Sequence, residues 1–328
     1  MPKLSLVVPV FREAESLRAN FQLLHGVLSQ HRDSFTFEMI FVNDGSPDDS
    51  LTVLESIHRD HPQTVGIVNL VRNFGQVAAI FAGLAACSGD CAAVISADLQ
   101  DPPELLPVMF EKWRAGARTV IAERGAREDS LASRVASRIF YRLMNAYALP
   151  AIPPTGFDFF LIDRSVVARM VANPEPNGFL QGQVLYASGQ VVSVPYTRKK
   201  RLSGQSGWTF SKKLKYFIDG FIAYSFVPMR IISLAGMLLF CLGILASIAL
   251  IFQRLRFGTG ASGWTSVMIV MILLHGTEML MIGIVGEYLW RTLEQARGRP
   301  LYLVDYQKLP ECDGTGRELV REKSQPWI

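Results

Sequence analysis

V-I-S-A-D-L-Q-D-P-P-E, residues Val94 to Glu104, decides the fold. The apolar run Cys91 to Ile95 predicts a buried strand, and it stops abruptly at Asp98, Gln100 and Asp101. Pro102-Pro103 then opens a helix. Two carboxylates and a carboxamide behind a buried strand are hard oxygen donors, suited to Mg²⁺ or Mn²⁺ rather than zinc. An isolated D-x-x-D reads more simply as a solvated turn, so the neighbouring strands decide its meaning.

Upstream, the same pattern repeats. Leu4 to Phe11 predicts a parallel strand, with a helix from Ala14 to about Gln30 through Leu17, Phe21, Leu24 and Leu28. Phe37 to Val42 and Thr64 to Val71 predict strands, followed by helices over 47–58 and 76–86. A helix over 103–115 and a short strand from Arg118 to Ala122 complete the series. Alternating units of this length predict an α/β doubly wound, mostly parallel sheet. Each strand ends in useful polar groups: Pro9 to Glu13, Asp44-Gly45-Ser46, Arg72-Asn73-Phe74-Gly75, and Asp98 to Asp101. In such a sheet those ends share one crevice. Carboxylates, amides and an arginine there suit a base, a ribose and a metal-bridged diphosphate. Pro9 and Phe11 stand where a dinucleotide fingerprint needs glycines, and no G-x-x-x-x-G-K-[ST] loop is present.

The hydrophobic fraction of 49% and mean hydropathy of +0.22 are high, and the excess is local. It falls in two runs, about 231–252 and 266–290, each long enough for a bilayer core of about 30 Å. The net charge of +4 gives no reason to expect nucleic acid. The four cysteines form neither a zinc nor a disulfide pattern, and Cys87 and Cys91 read as buried thiols. The first apolar run is short and leads into a charged helix, so no signal peptide is expected. The expected organisation is a soluble domain over 1–208 and an amphipathic juxtamembrane helix over 209–228. A transmembrane hairpin over 229–292 and a polar cytosolic tail over 293–328 follow.

Six motifs carry a family resemblance: P-V-F-R-E at 9–13, V-N-D-G-S-P-D at 42–48, R-N-F-G-Q at 72–76, A-D-L-Q-D-P-P-E at 97–104, G-F-D-F at 156–159 and R-L-S-G-Q-S-G-W at 201–208. G-E-Y-L-W-R-T-L-E at 286–294 and R-P-L-Y at 299–302 fit as well. In order and spacing the chain resembles glycosyltransferase family 2, with its GT-A fold. Within that family it is similar to the polyprenyl-phosphate glycosyltransferases, the group that includes dolichyl-phosphate mannose synthase.

The resemblance implies an inverting transfer of a sugar from a nucleotide diphosphate sugar, preferably a UDP-sugar, to polyprenyl (undecaprenyl) phosphate. It implies that Pro9, Phe11, Glu13, Asp44, Ser46, Arg72 and Asp98 bind the donor nucleotide. Asp98 and Gln100 would hold Mg²⁺ or Mn²⁺, and Asp158 matches the candidate catalytic carboxylate. Where the family often has D-A-D, this chain has Ser96-Ala97-Asp98, which leaves Asp101 as a possible further ligand. Arg201, Ser203 and Ser206 would grip the acceptor phosphate, from a basic loop that begins at Arg198. Gly207 replaces a common lysine there, with Lys212 or Lys213 as substitutes. A homo-oligomer in the bacterial inner membrane, multi-pass with its catalytic domain cytosolic, is the expected setting.

Phe210, Leu214, Phe217, Ile218 and Phe221 alternate with lysines in the manner of an interface helix. In the second run His275 and Glu278 share a helical face and read as packing groups or lipid-carrier contacts. The rival readings are a processive polysaccharide synthase and a non-catalytic membrane scaffold with a nucleotide-binding domain. Against the first, Q-x-x-R-W is missing and two spans are few for a channel. The populated strand ends weigh against the second.

Overall fold

The computed structural model describes residues 1–124, 142, 156–175, 179–196, 227–257 and 263–310. Its centre is an eight-stranded sheet in the order β7-β5-β6-β4-β1-β2-β3-β8. The strands are β1 (Lys3–Val10), β2 (Thr36–Asn43), β3 (Val65–Leu70), β4 (Cys91–Val94), β5 (Thr119–Arg124), β6 (Phe160–Asp163), β7 (Val192–Tyr196) and β8 (Val304–Lys308). β1 pairs parallel with β2 and β4, β2 with β3, and β5 with β7. β6 runs antiparallel between β4 and β5, and β8 runs antiparallel along β3. The sheet is mostly parallel, as its apolar runs predict.

Both faces are covered, which explains why the central strands are apolar throughout rather than alternating. Helices α1 (Ala14–Ser29), α2 (Ser50–Asp60) and α4 (Leu105–Arg114) cover one face. Leu17, Phe21, Leu24 and Leu28 of α1 meet Leu4, Leu6, Val8 and Val10 of β1 there. Helices α3 (Gln76–Ala86), α5 (Arg164–Ala172) and α6 (Leu180–Ser188) cover the other, against Val7, Ile40, Val42 and Val68. α3 sits close to β1 because Gly83 has no side chain: a Cβ there would lie 2.4 Å from Val7 Cγ1. Cys87 and Cys91 are buried free thiols, with burial pushing the Cys87 thiol up to about 12.

Three expectations need correction. α2 begins at Ser50 rather than 47, because Asp48 Oδ1 accepts both the Ser50 amide (3.3 Å) and its hydroxyl (2.7 Å). α4 begins at Leu105, two residues after the predicted start. Residues 304–308, expected within a polar tail, instead form the edge strand β8, with Leu301, Tyr302 and Leu309 packed on the core. Tyr306 Oη and Lys308 Nζ both reach Glu55 Oε1 on α2, at 2.9 and 3.1 Å. An edge strand draws its pairing from backbone groups, so V-D-Y-Q-K carries little hydrophobic signal.

Two further helices, α7 (Val227–Phe257, 31 residues) and α8 (Trp264–Ala296, 33 residues), follow β7 and precede β8. α8 continues past the expected hairpin end at 292. Leu234, Leu245, Leu255, Met279 and Leu289 are all exposed on them. Some side chains of both helices lie outside the described set, and among the described residues no helix is long and apolar enough to cross a membrane. His275 is exposed, its Nδ1 2.8 Å from the Met271 carbonyl.

Candidate active site

The carboxyl ends of β1, β2, β3, β4, β5 and β7 open on one edge of the sheet, and β6 and β8 start from it. Register sets the alignment: Val10 lies opposite Asn43, Asn43 opposite Asn69, and Val94 opposite Phe160. The segments carrying Asp44, Arg72, Asp98 and Asp158 therefore leave the sheet at the same edge.

The β2 loop is the most firmly built part of that edge. The Asp44 amide donates to the Val10 carbonyl at 3.0 Å. Asp44 is 2% exposed, and its carboxylate accepts the Phe74 amide (2.7 Å) and the Gly75 amide (2.9 Å) at the start of α3. Burial raises its carboxyl above the ordinary value, although both amides pull the other way. Each oxygen keeps a second lone pair. Gly45 is obligatory: its φ is +59°, and a Cβ would lie 2.4 Å from the Arg72 carbonyl carbon. The β2 and β3 loops thus touch backbone to backbone.

Ser46 donates its amide to Asn43 Oδ1 and accepts the Arg12 amide on its hydroxyl, both at 3.3 Å. Arg12 has φ 59°, a left-handed conformation uncommon outside glycine, at the point where the chain leaves β1. Pro9 sits on β1 opposite Val42, and Phe11 is exposed with the Arg12 guanidinium 5.3 Å from its ring centre. Glu13 donates its amide to Ser50 Oγ and accepts the Ser16 hydroxyl on its carboxylate at 2.9 Å. Arg72 mirrors Arg12, stacking 4.2 Å from the Phe74 ring centre. An exposed Arg12–Phe11 pair and an Arg72 stacked on the partly buried Phe74 therefore border the crevice.

At the end of β4, Asp98 and Gln100 flank Leu99, whose φ of 46° is the second left-handed residue of the edge. Asp98 Oδ1 accepts the Gln100 amide at 3.3 Å. A half-buried carboxylate beside a carboxamide fits a hard divalent cation, which needs one or two protein carboxylates when a diphosphate supplies the remaining oxygens. Among the described residues no three His, Cys, Asp or Glu side chains converge on a metal-sized point. Asp101, the possible further ligand, is 1% exposed and accepts the Tyr196 hydroxyl at the end of β7. That bond fastens the loop after β4 to the end of β7.

Asp158 lies half-buried between the buried Phe157 and Phe159, two residues before β6. Gln181 at the start of α6 donates one amide group to both Asp158 Oδ1 (3.0 Å) and the Phe157 carbonyl (2.8 Å), fixing the carboxylate's direction. Arg201, Ser203 and Ser206, with residues 209–226 of the helix expected over 209–228, lie outside the described residues, and 227–228 belong to α7.

Several supporting residues escape a sequence reading. Asn20 of α1 holds the Ala97 carbonyl at 2.8 Å, Gln181 holds Asp158, and Asn69 pairs with Asn43. Asn20 and Gln181 show only as amides at partly or fully buried helix positions. Such groups need partners, but the sequence does not name them.

Residues 5–171 match the family described as Glycosyl transferase family 2. An uncharacterized glycosyltransferase of Bacillus subtilis, YkcC, is 36% identical over 92% of this chain and 92% of its own. The bactoprenol glucosyl transferase of Shigella phage SfV is 33% identical over 93% of this chain and 99% of its own. A prophage bactoprenol glucosyl transferase homolog of Escherichia coli is 33% identical over 92% and 98%. With its GT-A-like α/β fold and its polar groups gathered at one sheet edge, the chain belongs to glycosyl transferase family 2 and is a glycosyltransferase.

Proposed function

We propose that this glycosyltransferase moves a sugar, with inversion, from a nucleotide diphosphate sugar to polyprenyl phosphate at the cytosolic face of the bacterial inner membrane. One observation carries the reading. The polar segments at 9–13, 44–46, 72–75, 96–101 and 156–158 leave one edge of the sheet, the edge at which the chain ends β7 before α7 and enters β8 after α8. β7 ends there at Tyr196, ahead of α7, and β8 starts there with the Val71 amide on the Leu303 carbonyl at 3.1 Å. The relatives named as bactoprenol glucosyl transferases support the acceptor class.

In this reading Pro9, Phe11, Glu13, Asp44, Ser46 and Arg72 frame the nucleotide, and a UDP-sugar is the preferred donor. Asp98 and Gln100 would hold Mg²⁺ or Mn²⁺, which when bound would neutralise charge on the nucleotide diphosphate. The acceptor needs little activation, because a phosphate monoester with a second pKa near about 6 is mostly dianionic at neutral pH. The chain's work is placement: Asp158, held by Gln181, orients the acceptor phosphate or takes its residual proton. Arg201, with Ser203 and Ser206, grips that phosphate. The Tyr196–Asp101 bond ties the end of β7, five residues before Arg201 in the chain, to the loop that follows β4.

The exposed apolar side chains of α7 and α8 support a two-span hairpin. The hairpin would place the crevice at the headgroup layer.

Membranes containing the protein, incubated with labelled UDP- and GDP-sugars and extracted for lipid, test the whole reading. A labelled, phosphate-linked polyprenyl product is expected from one donor. Labelled polymer without labelled lipid would favour a processive synthase. Failure of any donor to label lipid, and of UDP and GDP with Mn²⁺ to raise the melting temperature, would favour a scaffold.

A further inference from the structure

Three hydrogen bonds run in series from the β2 loop to the last strand. The Ser46 amide donates to Asn43 Oδ1 (3.3 Å), Asn43 Nδ2 donates to Asn69 Oδ1 (2.8 Å), and Asn69 Nδ2 donates to Asp305 Oδ2 (3.1 Å). Asn43 and Asn69 are buried, whereas Asp305 lies on the outer edge strand β8, 236 positions from Asn69. The two ends fix the polarity of the series. A backbone amide can only donate and an ionised carboxylate can only accept, so each asparagine has one orientation that satisfies its neighbours.

We infer that Asp305 is a positioning residue for the donor pocket, acting through Asn69 and Asn43 on the Ser46 turn. The inference rests on the proposed donor role of that turn. Ser46 also accepts the Arg12 amide, so the relay bears on two of the loops that frame the nucleotide. It makes a residue that follows α8 part of the site's support. Seating of β8 on β3 then sets how well the donor loop is ordered.

The test uses full-length protein in membranes or detergent, with Mn²⁺ and either UDP or GDP as probe. The readout is the nucleotide concentration that gives half of the maximal rise in melting temperature. Asp305→Ala should raise that concentration about five-fold, the worth of one hydrogen bond, and Asp305→Asn should restore it because a carboxamide oxygen still accepts. Tyr306→Phe is the control: it removes the hydroxyl that binds Glu55 from the same strand without touching the relay, and should leave the concentration unchanged. If Asp305→Ala binds nucleotide as the parent does, or if Tyr306→Phe weakens binding equally, the inference is overturned and the donor-pocket reading stands. If the parent protein responds to neither nucleotide, the donor-pocket reading fails and takes the inference with it.

Discussion

The two edges of the sheet use polar groups in opposite ways. At the edge away from the crevice, Glu38 is 2% exposed and fully engaged. It accepts the Ser5 hydroxyl (2.5 Å), the Ser88 amide (2.6 Å) and the Ser88 hydroxyl (2.8 Å), and it pairs with Lys3 Nζ at 2.7 Å. Burial opposes its charge, but the Lys3 ammonium, the Ser5 hydroxyl and the Ser88 amide together hold its carboxyl below the ordinary value. At the crevice edge, backbone amides and helix side chains hold the carboxylates of Asp44 and Asp158. One edge closes its polar groups on each other for stability. The other buries Asp44 just as deeply but leaves Asp98 and Asp158 half-buried, and two residues there, Arg12 and Leu99, sit in left-handed conformations.

The contrast makes measurable claims. The largest effect is expected from Asp98→Asn: sugar transfer should fall by about two to three orders of magnitude, while the melting temperature moves by about a degree or less. Near-normal turnover would remove Asp98 from the metal-binding role. Glu38→Ala should do the reverse, costing about 3 kcal/mol of stability by leaving Lys3, Ser5 and Ser88 without their acceptor, with the donor KM unchanged. A raised donor KM in that variant would erase the distinction between the edges.

The same group sets an acid limb. Because the folded Glu38 carboxyl lies below its ordinary value of 4.5, its contribution is complete above that pH and fades as the pH falls through the folded value. Denaturation curves of Glu38→Gln should therefore depend less on pH in the acid range than those of the parent.

Gly45→Ala should weaken donor binding about ten-fold, since the β2 and β3 loops must separate to admit a methyl group in a left-handed backbone. Nucleotide titrations would check it, and unchanged affinity would mean that the loop contact is incidental. The smallest effect belongs to Gln181→Ala, which takes one hydrogen bond from Asp158 and leaves the carboxylate in place. About a three-fold to ten-fold loss in kcat, with donor KM little changed, is expected. A loss confined to KM would shift Asp158 from the reacting centre to the donor.

Much of the central sheet was legible because the chain advertises burial locally. Leu17, Phe21, Leu24 and Leu28 recur at helical spacing, and β1, β2 and β3 are apolar on both faces, so their layers follow from periodicity. β7 and β8 were not legible. V-S-V-P-Y and V-D-Y-Q-K are short, half polar, and lie at the two margins of the sheet, where backbone pairing replaces hydrophobic pattern. The six motifs pointed to Asp44, Asp98 and Asp158, but not to what holds them.

By itself the sequence determined the α/β alternation, the polar groups at the strand ends, the two apolar runs and, through its motifs, the family. Tertiary structure alone decided which partners those groups have. Asp101 meets Tyr196 across 95 positions and Asn69 meets Asp305 across 236. Burial is a property each residue carries into its own helix or strand, whereas a hydrogen-bond partner on another element exists only once strand order and register are set.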